Sequence, residues 1–217
     1  MIEHVLQRAL DARAVDAVLV ATDDERIASA VDACGGTAVM TRADHLSGTD
    51  RLAEVARHLN GAIVVNVQGD EPLIDPTTID AVVAQLDAEP ELPMTTLRCA
   101  IESAEEFHNP AVVKVVVDEA GNALYFSRSP VPFTRAGHTA PTAWRHIGLY
   151  GYRRTFLLEV AGLAPTPLEQ AEGLEQLRVL EHGFRIGTAR TTGESIGVDT
   201  PEDLERVRRL VEAAVPR

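Results

Sequence analysis

Apolar strand-like segments alternate with amphipathic helical segments through the first half of the chain, and this alternation constrains the fold most. Apolar residues at helical spacing predict helices at 2–12, 25–33, 49–59 and 76–86. Short runs rich in β-branched residues predict strands at 15–22, 37–41 and 62–68. The last of these is apolar nearly throughout, as in a parallel strand covered on both faces. The rhythm predicts an α/β fold with a doubly wound, mostly parallel sheet.

The pattern changes after Pro93. Strands are predicted at 95–101, 112–118 and 122–128 with little helix between them, and a hairpin turn joins the last two. Residues 129–144 are rich in Pro, Gly and Thr and predict a mobile loop. Helices follow at 167–181 and 201–214. We therefore expect a single domain across 1–217, with a small antiparallel extension at about 93–152.

Charge and composition limit the partners. The net charge of −13 argues against nucleic acid, whose phosphates need a basic face. No apolar stretch approaches the roughly 20 residues that span a bilayer, and the amino end lacks the layout of a signal peptide. We expect a cytoplasmic protein with no membrane partner. Cys34 and Cys99 lie far apart without metal-ligand spacing, so buried free thiols are favoured over a disulfide or a metal pair.

A carboxylate follows the apolar strand in the segment VVNVQGDEP (64–72). Ligands of open α/β sheets bind beyond the carboxyl ends of the strands, which is where this segment places Asp70. A carboxylate there can hold Mg²⁺, which takes oxygen ligands and is usually shared with substrate phosphates. Gly69 would let the backbone pass close to a ligand. The alternative is an aspartate that only caps the turn after the strand.

A second carboxylate lies in GVDTPEDLERV (197–207). Thr200 suits a helix N-cap, Pro201 the first helical position, and Asp203 the completion of the cap. Asp199 precedes the cap and has no such structural reason. It could point towards Asp70, and two acidic groups sharing one metal suit nucleotidyl transfer.

Six segments, spread from near the start of the chain to near its end, resemble the successive blocks of CMP-Kdo synthetases in the same order. Kdo is 3-deoxy-manno-octulosonate, an eight-carbon acidic sugar. Any one block is weak, but six in register are specific. The segments are TRADHLSGTDRLAEV (41–55), VNVQGDEP (65–72), ALYFSR (123–128), RHIGLYGYR (145–153), LEQLRVLEHG (174–183) and GVDTPEDLERV (197–207).

The resemblance implies a nucleotidyltransferase fold, a homodimer and transfer of CMP from CTP to Kdo with release of pyrophosphate, a step of lipopolysaccharide biosynthesis. It implies that Asp70 and Asp199 are the Mg²⁺ ligands and the catalytic pair. The positions that match the family's nucleotide pocket are Ser47, Gly48, Thr49, Arg51 and Gln68. A helix that begins near Thr49 also suits phosphate or base oxygens, although a plain capped helix explains that segment too.

Sugar contacts of the family match a second set of residues. Guanidinium forks suit carboxylates and phosphates, which makes two arginines of this set candidates for the acid group of the sugar. For the histidine of the set, a buried structural role is the alternative. The set is Arg128, Arg145, His146, Tyr150, Glu175 and Gln176. No residue stands out as a covalent nucleophile, which agrees with direct attack of the sugar hydroxyl on the α-phosphorus.

One departure from the family concerns the amino end. Members begin with a strand and an Arg- and Lys-bearing loop that holds the triphosphate, whereas MIEHVLQRAL matches the helix after that loop. We expect the gene to encode these segments upstream, and the chain as given to bind CTP weakly. Two further alternatives stay open: a cytidylyltransferase for a related acidic sugar, such as 8-amino-Kdo or a sialic acid, and a non-catalytic binding or dimerisation remnant.

Overall fold

The computed structural model describes residues 1–45, 47–192, 197–198 and 200–214. Contacts divide the chain into two compact units. Unit 1 comprises Met1–Leu59, Asn66–Asp80 and Gly193–Arg217, and unit 2 comprises Asn60–Val65 and Ala81–Thr192.

Helices and strands alternate as the sequence indicates. The helices are α1 (Ile2–Leu10), α2 (Glu25–Ala33), α3 (Gly48–Ala56), α4 (Pro76–Ala88), α5 (Ala104–His108), α6 (Arg154–Val160), α7 (Pro167–Glu172), α8 (Gln176–Glu181) and α9 (Pro201–Ala214). The strands are β1 (Val20–Thr22), β2 (Ala38–Met40), β3 (Ile63–Asn66), β4 (Met94–Ala100), β5 (Lys114–Val117), β6 (Ala123–Ser127), β7 (Trp144–Arg153) and β8 (Ile186–Arg190).

In unit 1, the parallel strands β1 and β2 form a two-stranded sheet beside α2. The helix α2 begins where predicted because the carboxylate of Asp24 caps it, accepting from Arg26 N at 2.8 Å. The strand β1 is shorter than the predicted 15–22. Ahead of the predicted strand, the main-chain N–H groups of Arg13 and Ala14 donate to the Asp80 carboxylate, each at 2.8 Å, so a side chain holds this segment.

Unit 2 is built on a sheet of order β6-β5-β7-β4-β8, with β3 paired to β7. The strand β4 is parallel to β8 and antiparallel to β7, while β5 is antiparallel to both β6 and β7. The antiparallel pairs join strands of the main sheet between residues 94 and 153, and the predicted α/β class is confirmed. Strand β3 is less buried than predicted: Val64 is buried, but the other three residues are half-buried.

The predicted single helix at 167–181 is wrong, because the segment forms two helices. Gly173 ends α7 in the left-handed conformation, at φ 62°, and the chain turns before α8. Glycine adopts this conformation at little cost, so it is the usual residue where a helix stops in this way. At the start of α7 the Glu169 carboxylate accepts from Thr166 N at 3.1 Å, and Pro167 occupies the first helical position. The break gives Glu175 and Gln176 a helix start of their own.

Strand β7, which the sequence did not predict, packs closely against α4 at Gly151. A Cβ atom placed on Gly151 would lie 2.4 Å from Val82 Cγ1 and 3.1 Å from Thr95 Cγ2. We expect Gly151→Ala to lower the free energy of unfolding by about 1–3 kcal/mol, because the helix must move away from the sheet. Gly148→Ala is the matched control in the same strand, since nothing lies within 4 Å of its Cβ position. Equal denaturation midpoints for the two variants would contradict this packing.

Two further expectations concern the cysteines and the membrane. Both cysteines are free; Cys99 is buried as predicted, whereas the prediction of a buried Cys34 is wrong because that residue is exposed. In the part of the chain that the structure describes, every helix is too short or too polar for a membrane span.

Candidate active site

The turn after β3 presents Asp70, a predicted metal ligand, in unit 1. Gln68 and Gly69 are exposed and Asp70 is half-buried. Glu71 N donates to the Gln68 carbonyl at 3.3 Å, which closes the turn. Among the described residues, the carboxylate of Asp70 has no hydrogen-bond or ion-pair partner. Its oxygens are therefore open to a cation, as the metal prediction requires.

Asp199, the second predicted ligand, lies outside the described residues. Its neighbour Val198 is described, and Val198 N donates to the Asp70 carbonyl at 2.9 Å. The cap predicted for the next helix is confirmed: Asp203 Oδ2 accepts from Thr200 N at 3.0 Å, and Thr200 Oγ1 accepts from Asp203 N at 3.2 Å. No group of three or more His, Cys, Asp or Glu side chains suited to a metal occurs within the described ranges. The open Asp70 carboxylate is a hard oxygen donor of the kind that Mg²⁺ takes when substrate phosphates complete its shell.

The start of α3 carries four of the five residues matched to the nucleotide pocket. Ser47 caps the helix through its side chain, which accepts from Asp50 N at 3.2 Å. A Cβ on Gly48 would meet nothing within 4 Å, so close packing within the chain does not require glycine there. Thr49 is buried, and Arg51 is held by Asp23 at 3.2 Å and by Thr41 Oγ1 at 2.5 Å. The structure thus brings Ser47, Gly48, Thr49 and Arg51 to one helix start.

In unit 2, the predicted sugar residues His146 and Tyr150 lie in a row of aromatic rings. The ring centroids are 4.9 Å apart for Phe126 and His146, 5.5 Å for His146 and Tyr150, and 6.2 Å for Tyr150 and Tyr152. Burial raises the pKa of Tyr150 well above 10, with further contributions from Tyr152 and Glu175. Tyr150 therefore stays a phenol that can donate to a ligand.

The side chain of Thr96 fixes the tautomer of His146. Thr96 Oγ1 lies 2.8 Å from the Leu149 carbonyl, 3.0 Å from the Ile147 carbonyl and 3.0 Å from His146 Nε2. A hydroxyl has one proton, and here two carbonyls compete for it, so its lone pair faces the ring. His146 Nε2 then carries the ring proton, and Nδ1 is left as an acceptor.

Burial lowers the pKa of His146 from 6.5 to about 3. The imidazole of His146 binds a proton below pH 6.5 in the unfolded chain but only near pH 3 in the folded chain. The folded state therefore loses stability as the pH falls from 6.5 towards 3. The loss is at most about 1.4 kcal/mol per pH unit. We expect His146→Gln to flatten the acid limb of the stability curve, measured by urea unfolding from pH 7 to 4. His138→Gln controls for loss of an exposed imidazole, and an unchanged slope in His146→Gln would contradict the assignment.

Glu175 and Gln176 begin α8, next to the turn at Gly173. Gln176 is 5 % exposed, and its Nε2 is buried without a hydrogen-bond partner among the described residues. A buried donor without a partner costs about 1–3 kcal/mol, so this amide is available to a hydrogen-bond acceptor that the described chain does not supply. Glu175 acts on the pKa of Tyr150, so it lies near the aromatic row.

The two predicted arginines differ in their surroundings. Arg128 donates from Nε to the Glu172 carbonyl at 2.8 Å and from Nη1 to the Pro110 carbonyl at 3.2 Å. Arg145 donates instead to Cys99 Sγ at 3.2 Å and to the Glu106 carboxylate at 3.1 Å. The part of the chain that the structure describes contains no hydrogen bond or ring contact between Arg145 and the other predicted sugar residues.

Sequence reasoning missed the residues that hold these side chains in place, chiefly Thr96, Glu172 and Asp23. Their partners are distant in sequence, so no local spacing marks them. Lys114, which donates to the Arg128 carbonyl, was missed as well. The sequence did mark this residue, because it is the only lysine of the chain and lies inside an otherwise apolar strand segment.

Comparison with known proteins first identifies the protein family. The sequence profile of the cytidylyltransferase family matches residues 1–196. A cytidylyltransferase from Leptospira borgpetersenii shares the fold, with a TM-score of 0.62 at 16 % identity over 99 % of this chain and 76 % of that one.

Relatives of higher sequence identity identify the group within that family. A 3-deoxy-manno-octulosonate cytidylyltransferase from Solibacter usitatus is 54 % identical over 99 % of this chain and 85 % of its own length. One from Geobacter metallireducens is also 54 % identical, over 95 % of this chain and 85 % of its own. A solved CMP:2-keto-3-deoxy-manno-octonic acid synthetase complexed with CTP has a TM-score of 0.94 at 46 % identity, covering 99 % of this chain and 88 % of that one. The chain belongs to the cytidylyltransferase family and, within it, to the 3-deoxy-manno-octulosonate cytidylyltransferases, which confirms the resemblance.

Proposed function

We propose that the protein transfers CMP from CTP to Kdo, giving CMP-Kdo and pyrophosphate. The observation that carries this proposal is its relationship, over nearly the whole chain, to proteins named for that activity and to a synthetase solved with CTP. The contacts within each unit support binding of the nucleotide by residues of unit 1 and of the sugar by residues of unit 2.

Unit 1 supplies the groups for the nucleotide. Ser47, Gly48, Thr49 and Arg51 at the start of α3 would bind CTP together with Gln68 in the turn after β3. Asp70 would hold Mg²⁺ with Asp199, and its open carboxylate supports that role. Mg²⁺, when bound, supplies charge neutralisation at the phosphate oxygens as pyrophosphate departs.

Unit 2 supplies the groups for the sugar. The buried amide of Gln176 can donate to a sugar oxygen, Nδ1 of His146 can accept from a sugar hydroxyl, and the phenol of Tyr150 can do either. Arg128 is the better placed of the two arginines for the sugar carboxylate, because Arg145 is already paired with Glu106. Glu175 would accept from a further hydroxyl.

The reaction needs no covalent intermediate. The anomeric hydroxyl of Kdo attacks the α-phosphorus of CTP, the new phosphorus–oxygen bond forms as the bond to pyrophosphate breaks, and the hydroxyl proton passes to solvent or a base. Catalysis then consists of positioning and charge neutralisation. We also propose that the protein is cytoplasmic, forms a homodimer and acts in lipopolysaccharide biosynthesis.

Replacement of Gln176 by leucine tests the sugar half of the proposal. We expect Gln176→Leu in the full-length gene product to raise the KM for Kdo about tenfold, the value of one well-placed hydrogen bond, and to leave the KM for CTP unchanged. Because the amide lacks a partner, the same variant should keep or raise the melting temperature. Gln85→Leu is the control: Gln85 accepts from Thr95 Oγ1 at 2.6 Å, so its loss should lower stability. A change confined to the KM for CTP would contradict the assignment of Gln176.

The alternative sugar substrates are tested in the same assay. An 8-amino-Kdo or a sialic acid used more efficiently than Kdo, by kcat/KM, would assign the protein to a related acidic sugar. Binding of Kdo without pyrophosphate release by the full-length gene product would favour a non-catalytic module.

A further inference from the structure

Lys114 is the most deeply buried charge of the described chain, with an exposed fraction of 0 %. Its ammonium donates to three main-chain carbonyls: Asn109 at 2.9 Å, Val112 at 2.5 Å and Arg128 at 2.6 Å. Among the described residues no carboxylate lies within ion-pair distance of it. Burial and the charge of Arg128 lower the pKa of Lys114, and Glu172 opposes them.

The three carbonyls belong to the surroundings of one side chain, Arg128. Asn109 and Val112 flank Pro110, whose carbonyl accepts from Arg128 Nη1 at 3.2 Å. The third carbonyl is that of Arg128 itself. Lys114 therefore fixes both the main chain of Arg128 and the segment that receives its guanidinium.

Glu172 holds Arg128 from the other side. Its carboxylate accepts from Arg128 N at 2.9 Å and from Ser127 Oγ at 2.6 Å, and its main-chain carbonyl accepts from Arg128 Nε at 2.8 Å. Burial raises the pKa of Glu172, but the hydrogen bonds from Ser127 and Arg128 outweigh it, and the pKa is lowered. Glu172 thus stays an anion that binds the Arg128 main chain.

These contacts use the N–H, the C=O, Nε and Nη1 of Arg128. Within the described residues no group accepts from its Nη2. We propose that Lys114 and Glu172 are positioning residues that hold Arg128 so that its free Nη2 edge binds the carboxylate of the acidic sugar. This inference rests on the proposed function and deepens it.

Fold stability alone gives a weak reason for Lys114. A charge buried in a strand of valines is costly, and the three hydrogen bonds of the ammonium serve mainly to offset that cost. An ammonium that orders three carbonyls around an arginine has a clear use if the arginine must not move. A displacement of about 1 Å in such a group can cost roughly 100-fold in rate.

The test compares Lys114→Met, Glu172→Ala and Glu172→Gln in the full-length gene product. We expect the first two to raise the KM for Kdo roughly 10-fold to 100-fold and to leave the KM for CTP within about twofold. Glu172→Gln should recover most of the loss, because its amide oxygen can still accept from Arg128 N and its NH₂ can donate to Ser127. In an Arg128→Met background, Glu172→Ala should add little, since the residue that it positions is gone.

A second readout does not depend on turnover. Arg128 Nε–H should give a slowly exchanging NMR signal, assigned by its loss in Arg128→Met and weakened in Glu172→Ala. Glu172→Ala leaves the Lys114 bonds in place, so it carries the test if Lys114→Met does not fold.

Equal rises in both KM values, additive losses with Arg128→Met, or an unchanged Nε–H signal would overturn the positioning role. Failure of the unsubstituted protein to use Kdo would overturn the proposed function instead, and the NMR comparison would still decide whether Arg128 is positioned.

Discussion

Replacing Asp70 by asparagine should lower pyrophosphate release by the full-length gene product on the order of 1,000-fold while leaving the fold intact. A metal at the transferring phosphate is worth several kcal/mol in the transition state, and each 1.36 kcal/mol is a factor of ten in rate. Asparagine has the shape of aspartate but not its charge. The hydrogen bond from Val198 N goes to the Asp70 main chain and survives the change.

The control is Asp32→Asn, which removes the same charge from an exposed position on α2. We expect its turnover to match the unsubstituted protein and the melting temperatures of both variants to stay unchanged. Isothermal titration of CTP with and without Mg²⁺ separates binding from chemistry. The CTP affinity of Asp70→Asn should depend much less on Mg²⁺ than that of the unsubstituted protein. Turnover near the unsubstituted value in Asp70→Asn would remove Asp70 from the metal site.

The largest effect on stability is expected for Arg178→Met, in helix α8, which begins at the predicted sugar residue Gln176. The guanidinium of Arg178 binds the Glu169 carboxylate at 2.6 Å and 2.9 Å, and both side chains are mostly buried, with exposed fractions of 11 % and 13 %. Burial raises the pKa of Glu169, but the hydrogen bond from Arg178 helps to hold it below its ordinary value. Removing Arg178 leaves a buried carboxylate uncompensated, which costs about 3–5 kcal/mol.

Urea unfolding at pH 7 measures this cost. Arg208→Met is the control, because the Arg208–Glu205 pair is exposed and such pairs contribute at most about 1 kcal/mol. Arg178→Met combined with Glu169→Gln should recover part of the loss, since the neutral amide can still accept from Thr166 N at the start of α7. Equal losses for the buried and the exposed pair would show that burial does not set the strength of the interaction.

The sequence predicted well those features that depend on neighbouring residues. The helices at 25–33 and 201–214 have the predicted bounds, because periodicity and capping side chains such as Asp24 and Thr200 act within one turn. The family blocks also point to Gln176, whose buried amide has no partner among the described residues, and its role in sugar binding stays a prediction.

The misses occurred where the deciding residues are distant in sequence. Strand β7 contains Gly148 and Gly151, which weaken any strand signal, and it forms because β3, β4 and β5 supply its hydrogen-bond partners. Glu175 and Gln176 were expected inside one long helix, but Gly173 separates them from α7.

Local patterning therefore determined the α/β class and the bounds of the capped helices at 25–33 and 201–214, while the family resemblance supplied most of the candidate residues. Tertiary structure alone decided their surroundings: Thr96 sets the tautomer of His146, and Lys114 and Glu172 hold Arg128. The physical reason is that hydrogen bonds and burial depend on distances in space. A pattern along the chain records which groups are present, but the fold selects which of them meet.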